Sequence, residues 1–360
     1  MLRTSLFPKH VECGGRMVPF AGYEMPVQYV GIMAEAKAVR EGAGMFDVSH
    51  MARLTFRGQG VQTYLERLTT NNIAGLQPDT GHYSLLPNDT GGTVDDIIVY
   101  KITDDEYRMV VNAANHEKDW EWLNAHNDEG LTITDHTDET AMIAVQGPKA
   151  VEILAGMFPC SAEALHSAPA FGVVRLAFSG GECFAARSGY TGEDGYELIL
   201  DADKAGELWD ALTANGVTPC GLGSRDTLRV EAGLPLYGHE LTDDLSPIAA
   251  GLGWVIDKSR SFIGSQIIEA ARTNGTPRRV LGVRLESKRL ITPGMKVFVG
   301  DREVGEVSSG VVSPLLECGI AFAFIDRDIK MDTPATIEVR GKHEPATIVN
   351  KRFFVRKKAA

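Results

Sequence analysis

The stretch "ARLTFRGQGVQTYLERL", residues 52–68, reads as a short alternating strand, a glycine turn and an amphipathic helix. The same grammar returns at residues 141–157, "AMIAVQGPKAVEILAGM", where Gly147 matches Gly58 at an offset of 147 − 58 = 89. The offset persists downstream, between "YRMVVNAANHEKDWEWL" (107–123) and "YELILDADKAGELWDAL" (196–212). Tyr107 aligns with Tyr196, Trp120 with Trp209 and Leu123 with Leu212. Pro148 suits the first position of the second helix. Several anchors at one spacing predict two related α+β units, each with strands followed by a helix.

Beyond residue 275 the pattern changes. "RTNGTPRR" (272–279) reads as a linker, and "KVFVG", "REVGEVSSG", "CGIAFAFI" and "ATIEVR" are short alternating runs broken by turn signals. That spacing predicts a small β-barrel or sandwich.

The bulk numbers narrow the function. The chain has 360 residues, 44% hydrophobic content and a formal charge of -12, which argues against general affinity for nucleic acid. Five cysteines without a CxxC spacing fit a reducing compartment, with neither a disulfide framework nor a zinc site. The start "MLRTSLFPKH" lacks the apolar core of a secretion signal, and no apolar run approaches membrane-spanning length, so a cytoplasmic protein without a membrane role is expected. One stretch departs from the acidic balance. The tail "NKRFFVRKKAA" carries Lys351, Arg352, Arg356, Lys357 and Lys358 with no acid, and is expected to be solvated or to attract an anion.

Two carboxylates stand out against apolar strands. In "GGTVDDIIVY" (91–100), alternation puts Asp96 on one face with Ile98 and Tyr100, while Asp95 points the other way and can reach solvent from the glycine turn. In "GEDGYELIL" (192–200), Glu197 shares a face with Ile199. A carboxylate on an apolar face is costly unless it is paired, hydrogen-bonded or used. One such acid in each repeat unit, each led in by glycines, points to a ligand with polar groups to satisfy. In "CGLGSRDTLRVEAGLPLYG" (220–238), Asp226 stands where a dinucleotide fingerprint needs glycine, so no nucleotide cofactor is expected. A helix starting near Ser224 places Arg225 in its first turn, where a cation opposes the helix dipole. No metal-ligand spacing is present, so no metal is expected, and no triad can be read from Asp47, Ser49 and His50 of "FDVSHM", since neighbours on a strand face opposite ways.

The segments "MVPFAGYEMPVQY", "GMFDVSHM", "GGTVDDIIVYK", "RSGYTGEDGYEL", "GLGSRDTLRVEAGLPLYGHEL" and "AGLGWVI" together resemble the T-protein family of the glycine cleavage system, the tetrahydrofolate-dependent aminomethyltransferases. The resemblance runs from near residue 5 to near 355. It implies an α+β protein of three domains in a cloverleaf around a central folate channel: two related α+β units over residues 1–140 and 141–275, and a C-terminal β-barrel over 276–360. It implies transfer of an aminomethyl group from the lipoyl arm of H-protein to tetrahydrofolate. Carried over by position, Asp96 matches the catalytic Asp, Glu197 the pterin-binding Glu and Arg225 a folate-site Arg. Tyr83, Tyr100, Val110, Asn112 and Tyr190 fall in stretches that line the folate site. Asp96 could act as an electrostatic stabiliser or as a general base. Two other activities fit the same fold: a folate-dependent demethylase of a small sulfur or nitrogen compound, and a non-catalytic folate-binding assembly protein. Against the latter, "DKSRSFIGSQ" lacks the Cys found in the assembly relatives. In the tail, Arg352 departs from the Pro that the T-protein family often has, so no ligand contact by Phe354 or Arg356 is carried over.

Overall fold

A computed structural model describes residues 1–356. The chain opens with α1 (Phe7–Glu12), the hairpin β1 (Arg16–Phe20) and β2 (Tyr23–Gln28), α2 (Ile32–Glu41) and β3 (Gly44–Asp47). Next come β4 (Ala52–Arg57), α3 (Val61–Leu68), β5 (Thr80–Pro87), β6 (Thr93–Lys101), β7 (Glu106–Val111), α4 (His116–Ala125) and β8 (Thr132–Asp135). The second set is β9 (Thr140–Gln146), α5 (Ala150–Met157), α6 (Ala162–Ser167), β10 (Val173–Phe178), β11 (Gly181–Ala186), β12 (Gly195–Asp201) and α7 (Ala205–Ala214). After β13 (Thr218–Pro219), α8 (Leu222–Ala232) and α9 (Ser265–Asn274), strands β14 (Arg278–Leu285), β15 (Lys296–Val299), β16 (Arg302–Ser313), β17 (Cys318–Asp326), β18 (Pro334–Val339) and β19 (Lys342–Val349) follow.

The repeat is real in three dimensions. One sheet runs β5-β6-β7-β4-β8 and the other β10-β11-β12-β9-β3-β13, so four strands of each occur in the same relative order. Helices α3 and α5 begin at Val61 and Ala150, and α4 and α7 at His116 and Ala205, each pair 89 apart. The matching glycines share a conformation that side chains disfavour, with φ +138° at Gly58 and +133° at Gly147. Pro148 differs from expectation. It sits in the turn ahead of α5, whose first residue is Ala150. Strand β3 also breaks the parallel between the sets, because it pairs with β9 and β13 in the second sheet. The alternative of barrel or sandwich resolves to a closed barrel, β14-β17-β16-β15-β18-β19, filled by Val283, Val297, Ile325, Ile337 and Ile348.

The chain divides into two compact units, one formed by 1–84 with 96–225 and the other by 85–95 with the segment from Asp226 onward. The second unit contains the barrel, and there the tail differs from a solvated one. The Lys351 ammonium donates to the Ala250 carbonyl at 2.6 Å, and burial lowers its pKa to about 8. Phe353 stacks on Phe322 with ring centroids 6.3 Å apart, and both Phe353 and Phe354 donate backbone N–H groups to the Glu231 carbonyl. Lys357 and Lys358 lie outside the described residues. Among the described residues no helix is long and apolar enough to cross a membrane.

In the first unit, the core built on Met45, Ile143, Val145, Tyr196 and Trp209 encloses a polar cluster. Asp47 accepts from His10 Nε2 at 2.8 Å, from Thr4 Oγ1 at 2.6 Å and from the Ser49 backbone N–H at 2.9 Å. The Tyr29 hydroxyl is hydrogen-bonded to His10 Nδ1 at 2.9 Å, and the Trp209 indole lies 5.4 Å from the His10 ring. Burial opposes ionisation of Asp47, but His10 and the hydroxyls outweigh it and bring the carboxyl to about 2 from 3.8. A depressed carboxyl stabilises the fold above its unfolded pKa and loses that contribution as pH falls through the folded value. Asp47→Asn is therefore expected to cost on the order of 2 kcal/mol at neutral pH. In denaturant titrations the gap to the wild type closes between pH 3.8 and about 2.

Candidate active site

Strand register assembles the first half of the site. Ile98 of β6 lies opposite Val110 of β7, and Tyr100 opposite Arg108. Opposed residues share a face. One wall therefore carries Asp96 and Asn112, then Ile98 and Val110, then Tyr100 and Arg108. Asp96 is half-buried there, and both of its oxygens are engaged: the Tyr83 hydroxyl donates to Oδ2 at 3.0 Å, and Asn112 Nδ2 donates to Oδ1 at 2.8 Å. Gly81 leaves room for this wall, since a Cβ there would stand 2.4 Å from the Tyr100 ring. The alternation at 95 and 96 holds, but the exposure is the reverse of the expectation. Asp95 is fully buried (0%) and Asp96 is the more exposed. The glycine turn does not bring Asp95 to solvent, because its strand is covered on the face that Asp95 occupies.

Strand β12 supplies the second half. Glu197, 5% exposed, lies between Ala186 of β11 and Ala144 of β9, two side chains too short to offer it a partner. It accepts instead from the Ser188 hydroxyl, which in turn lies 3.2 Å from the Tyr100 hydroxyl. With Glu197 ionised, its acceptor-only oxygen fixes the direction: Tyr100 donates to Ser188, and Ser188 donates to Glu197. Burial raises the Glu197 pKa, and the Ser188 hydrogen bond and the Arg225 charge pull it back. The Arg225 guanidinium lies over the Tyr190 ring, 4.6 Å from its centroid, and its buried Nη1 has no hydrogen-bond partner among the described residues. Burial lowers the Arg225 pKa, against the pull of Glu197.

The expected residues thus fall into two groups. Asp96, Tyr83 and Asn112 are hydrogen-bonded together, with Val110 and Tyr100 on the same wall. Glu197, Arg225 and Tyr190 form the other, joined to Tyr100 through Ser188. Sequence reasoning missed Ser188, although it lies inside the quoted "RSGYTGEDGYEL". It also missed Arg108, which packs over the Phe184 ring at 5.1 Å. The strand alternation expected through Asp47, Ser49 and His50 does not apply, because β3 ends at Asp47 and residues 49 and 50 lie in a turn; Asp47 bonds His10, and His50 packs edge-on against Phe20 at 5.6 Å.

Comparison with known proteins agrees with this architecture. Residues 6–260 match the GCVT N-terminal domain family, and residues 278–354 match the glycine cleavage T-protein C-terminal barrel domain. The chain is 41% identical to the aminomethyltransferase of Geobacillus kaustophilus, over 99% of both chains. It is 43% identical to that of Deinococcus deserti, over 98% of this chain and 96% of the relative. The crystal structure of the glycine cleavage system aminomethyltransferase T from Bartonella henselae superposes with a TM-score of 0.90 at 28% identity, covering 98% of each chain. The chain belongs to the glycine cleavage T-protein family. Its activity is that of an aminomethyltransferase of the glycine cleavage system.

The raised Glu197 pKa carries a stability signature. An acid whose folded pKa exceeds its unfolded value stabilises below the unfolded value and loses that contribution as pH rises through the folded one. An ionised Glu197 therefore costs the fold at neutral pH. Glu197→Gln, which still accepts from Ser188, is expected to raise Tm at neutral pH. The advantage shrinks as pH falls through the raised value toward 4.5. Differential scanning calorimetry across that range checks the sign.

Proposed function

We propose that the chain moves the aminomethyl group from the lipoyl arm of H-protein to tetrahydrofolate, releasing ammonia and forming methylene-tetrahydrofolate. The carbon stays at one oxidation level, since its bonds to sulfur and to the departing nitrogen are replaced by two bonds to folate nitrogens. The sulfur leaves as a thiol, and the lipoyl arm ends in its reduced dihydrolipoyl form. No step calls for a metal or a nucleotide cofactor. The free cysteines, with Cys13 and Cys160 exposed, suit a reducing cytoplasm.

The observation that carries the reading is the pairing of two carboxylates with different surroundings on adjoining walls. Glu197 holds one oxygen toward Ser188 and has acceptor capacity left for a pterin, whose amino group and ring N–H sit side by side. Arg225, whose Nη1 has no partner among the described residues, and Tyr190 beneath it offer a donor and a stacking surface for the same ligand. Asp96 has a different role. Tyr83 and Asn112 hold it as an oriented anion with one donor on each oxygen. We assign it electrostatic stabilisation of the iminium-like carbon that forms as ammonia departs. Ile98, Val110 and Tyr100 exclude water beside it and strengthen that field.

The test is turnover with tetrahydrofolate and aminomethylated H-protein. Asp96→Asn preserves shape and is expected to lower kcat by roughly a hundredfold or more, with a much smaller change in folate affinity. Asp95→Asn is expected to retain turnover. Because Asp95 is buried, it is expected to lose about 1–3 kcal/mol of stability. Glu197→Gln is expected to weaken tetrahydrofolate binding by tenfold or more, since a partner of about 1.5–3 kcal/mol is lost. Normal turnover by the Asp96 variant, or unchanged calorimetric affinity in the Glu197 variant, overturns the corresponding role.

A further inference from the structure

A buried carboxylate outside both groups reaches the folate site through the backbone. Glu35 of α2 is fully buried (0%) and receives four donors. Its Oε1 accepts from the Tyr29 N–H at 2.6 Å and the Gly31 N–H at 3.0 Å. Its Oε2 accepts from the Gly221 N–H at 2.8 Å and lies 3.2 Å from the Ser224 hydroxyl, whose single proton it shares with the Gly221 carbonyl at 2.8 Å. One side chain thus ties the start of α2 to the start of α8. The contact is close by design of the sequence "GLG". A Cβ on Gly221 would stand 2.4 Å from the Val27 carbonyl carbon, and one on Gly223 2.5 Å from Ile32 Cδ1.

Gly221 is the link to the site. Its N–H is held by Glu35, and its carbonyl accepts from the Arg225 N–H at 3.2 Å. The Glu35 anion also lies at the first turn of α8, where Arg225 by itself opposes the helix dipole. It therefore offsets the unfavourable placement of that cation. The Arg225 Nη1 finds no partner among the described residues, so the guanidinium is aimed by its backbone and by the Tyr190 ring beneath it.

We propose that Glu35 is a positioning residue for tetrahydrofolate, acting through Gly221 to fix the direction of Arg225. The proposal rests on the reading of Arg225 as a folate-binding residue. Glu35→Gln keeps the volume but turns one oxygen into a donor facing donors. It is expected to weaken tetrahydrofolate affinity by about tenfold, with kcat at saturating folate within about threefold.

The deciding measurement is a double-mutant cycle with Arg225→Ala, read by calorimetric titration with tetrahydrofolate. Once Arg225 is gone, Glu35→Gln should bring no further loss of affinity. Equal losses in both backgrounds would mean a general disturbance and overturn the proposal. If Arg225→Ala weakens binding but Glu35→Gln does not, the positioning role fails while the folate reading stands. If Arg225→Ala binds folate as tightly as wild type, that reading falls and the proposal with it. Should Glu35→Gln not fold, Ser224→Ala removes one of the four donors and keeps the anion. The same cycle then expects a loss of about two- to threefold that vanishes without Arg225.

Discussion

A carboxylate inside a β-sheet must be solvated by the protein or neutralised, and Glu197 is where this constraint bears most heavily. Its strand neighbours Ala186 and Ala144 offer nothing. Its partners come from elsewhere: Ser188 from the loop after β11, Arg225 from α8, and Tyr100 of β6 through the Ser188 hydroxyl. Strand β6 belongs to one sheet and β12 to the other. The charge therefore requires the two related sheets to be in register with each other at this point. Phe184 of β11 reinforces the junction, meeting the Tyr100 ring edge-on at 5.4 Å.

The two halves of the repeat have kept their scaffold and exchanged their chemistry. Gly58 and Gly147 retain the same backbone conformation, and the helices that follow begin 89 residues apart. At the positions that matter the side chains diverge. Adding 89 to Asp96 leads to Ala185, and subtracting 89 from Glu197 leads to Arg108. Each sheet thus contributes one acid, at non-equivalent positions. One is a half-exposed anion fixed by two neutral donors, and the other is a buried anion raised in pKa by its surroundings. Environment rather than residue type separates the two anions, and it is this difference on which their proposed roles rest.

Other buried carboxylates of the chain are met by fuller sets of donors. The cluster of Asp47, His10, Thr4 and Tyr29 pins the first residues of the chain against the second sheet, and strand β3, which carries Asp47, is itself inserted there. In the second unit, Arg229 and Glu240 form a buried ion pair at 3.1 Å, with Ser308 and Ser309 donating to the remaining Glu240 oxygen. Such pairs specify an arrangement more than they stabilise it. Both oxygens of Asp47 and of Glu240 are met by donors, in contrast to Glu197, whose one side-chain donor among the described residues is Ser188.

Read alone, the sequence carried much of what depends on short-range pattern. Alternation separated Asp95 from Asp96, the offset of 89 revealed the repeat, and glycine-punctuated strands announced the barrel. The ordered motifs identified the family, and the proposed roles of the residues from Tyr83 to Arg225 were carried over from that resemblance. These features are local because strand and helix periods are properties of neighbouring residues. What the sequence could not carry was the surroundings of each charge. Asp95 is buried instead of solvated, Lys351 is anchored instead of free, and Glu35 serves a loop 186 positions away. Ser188 becomes a relay only because β6 arrives beside β12. Burial and hydrogen bonding of a charge are set by whichever distant segments pack against it. Tertiary structure alone decides that, because the cost of an unpaired carboxylate depends on its neighbours in space.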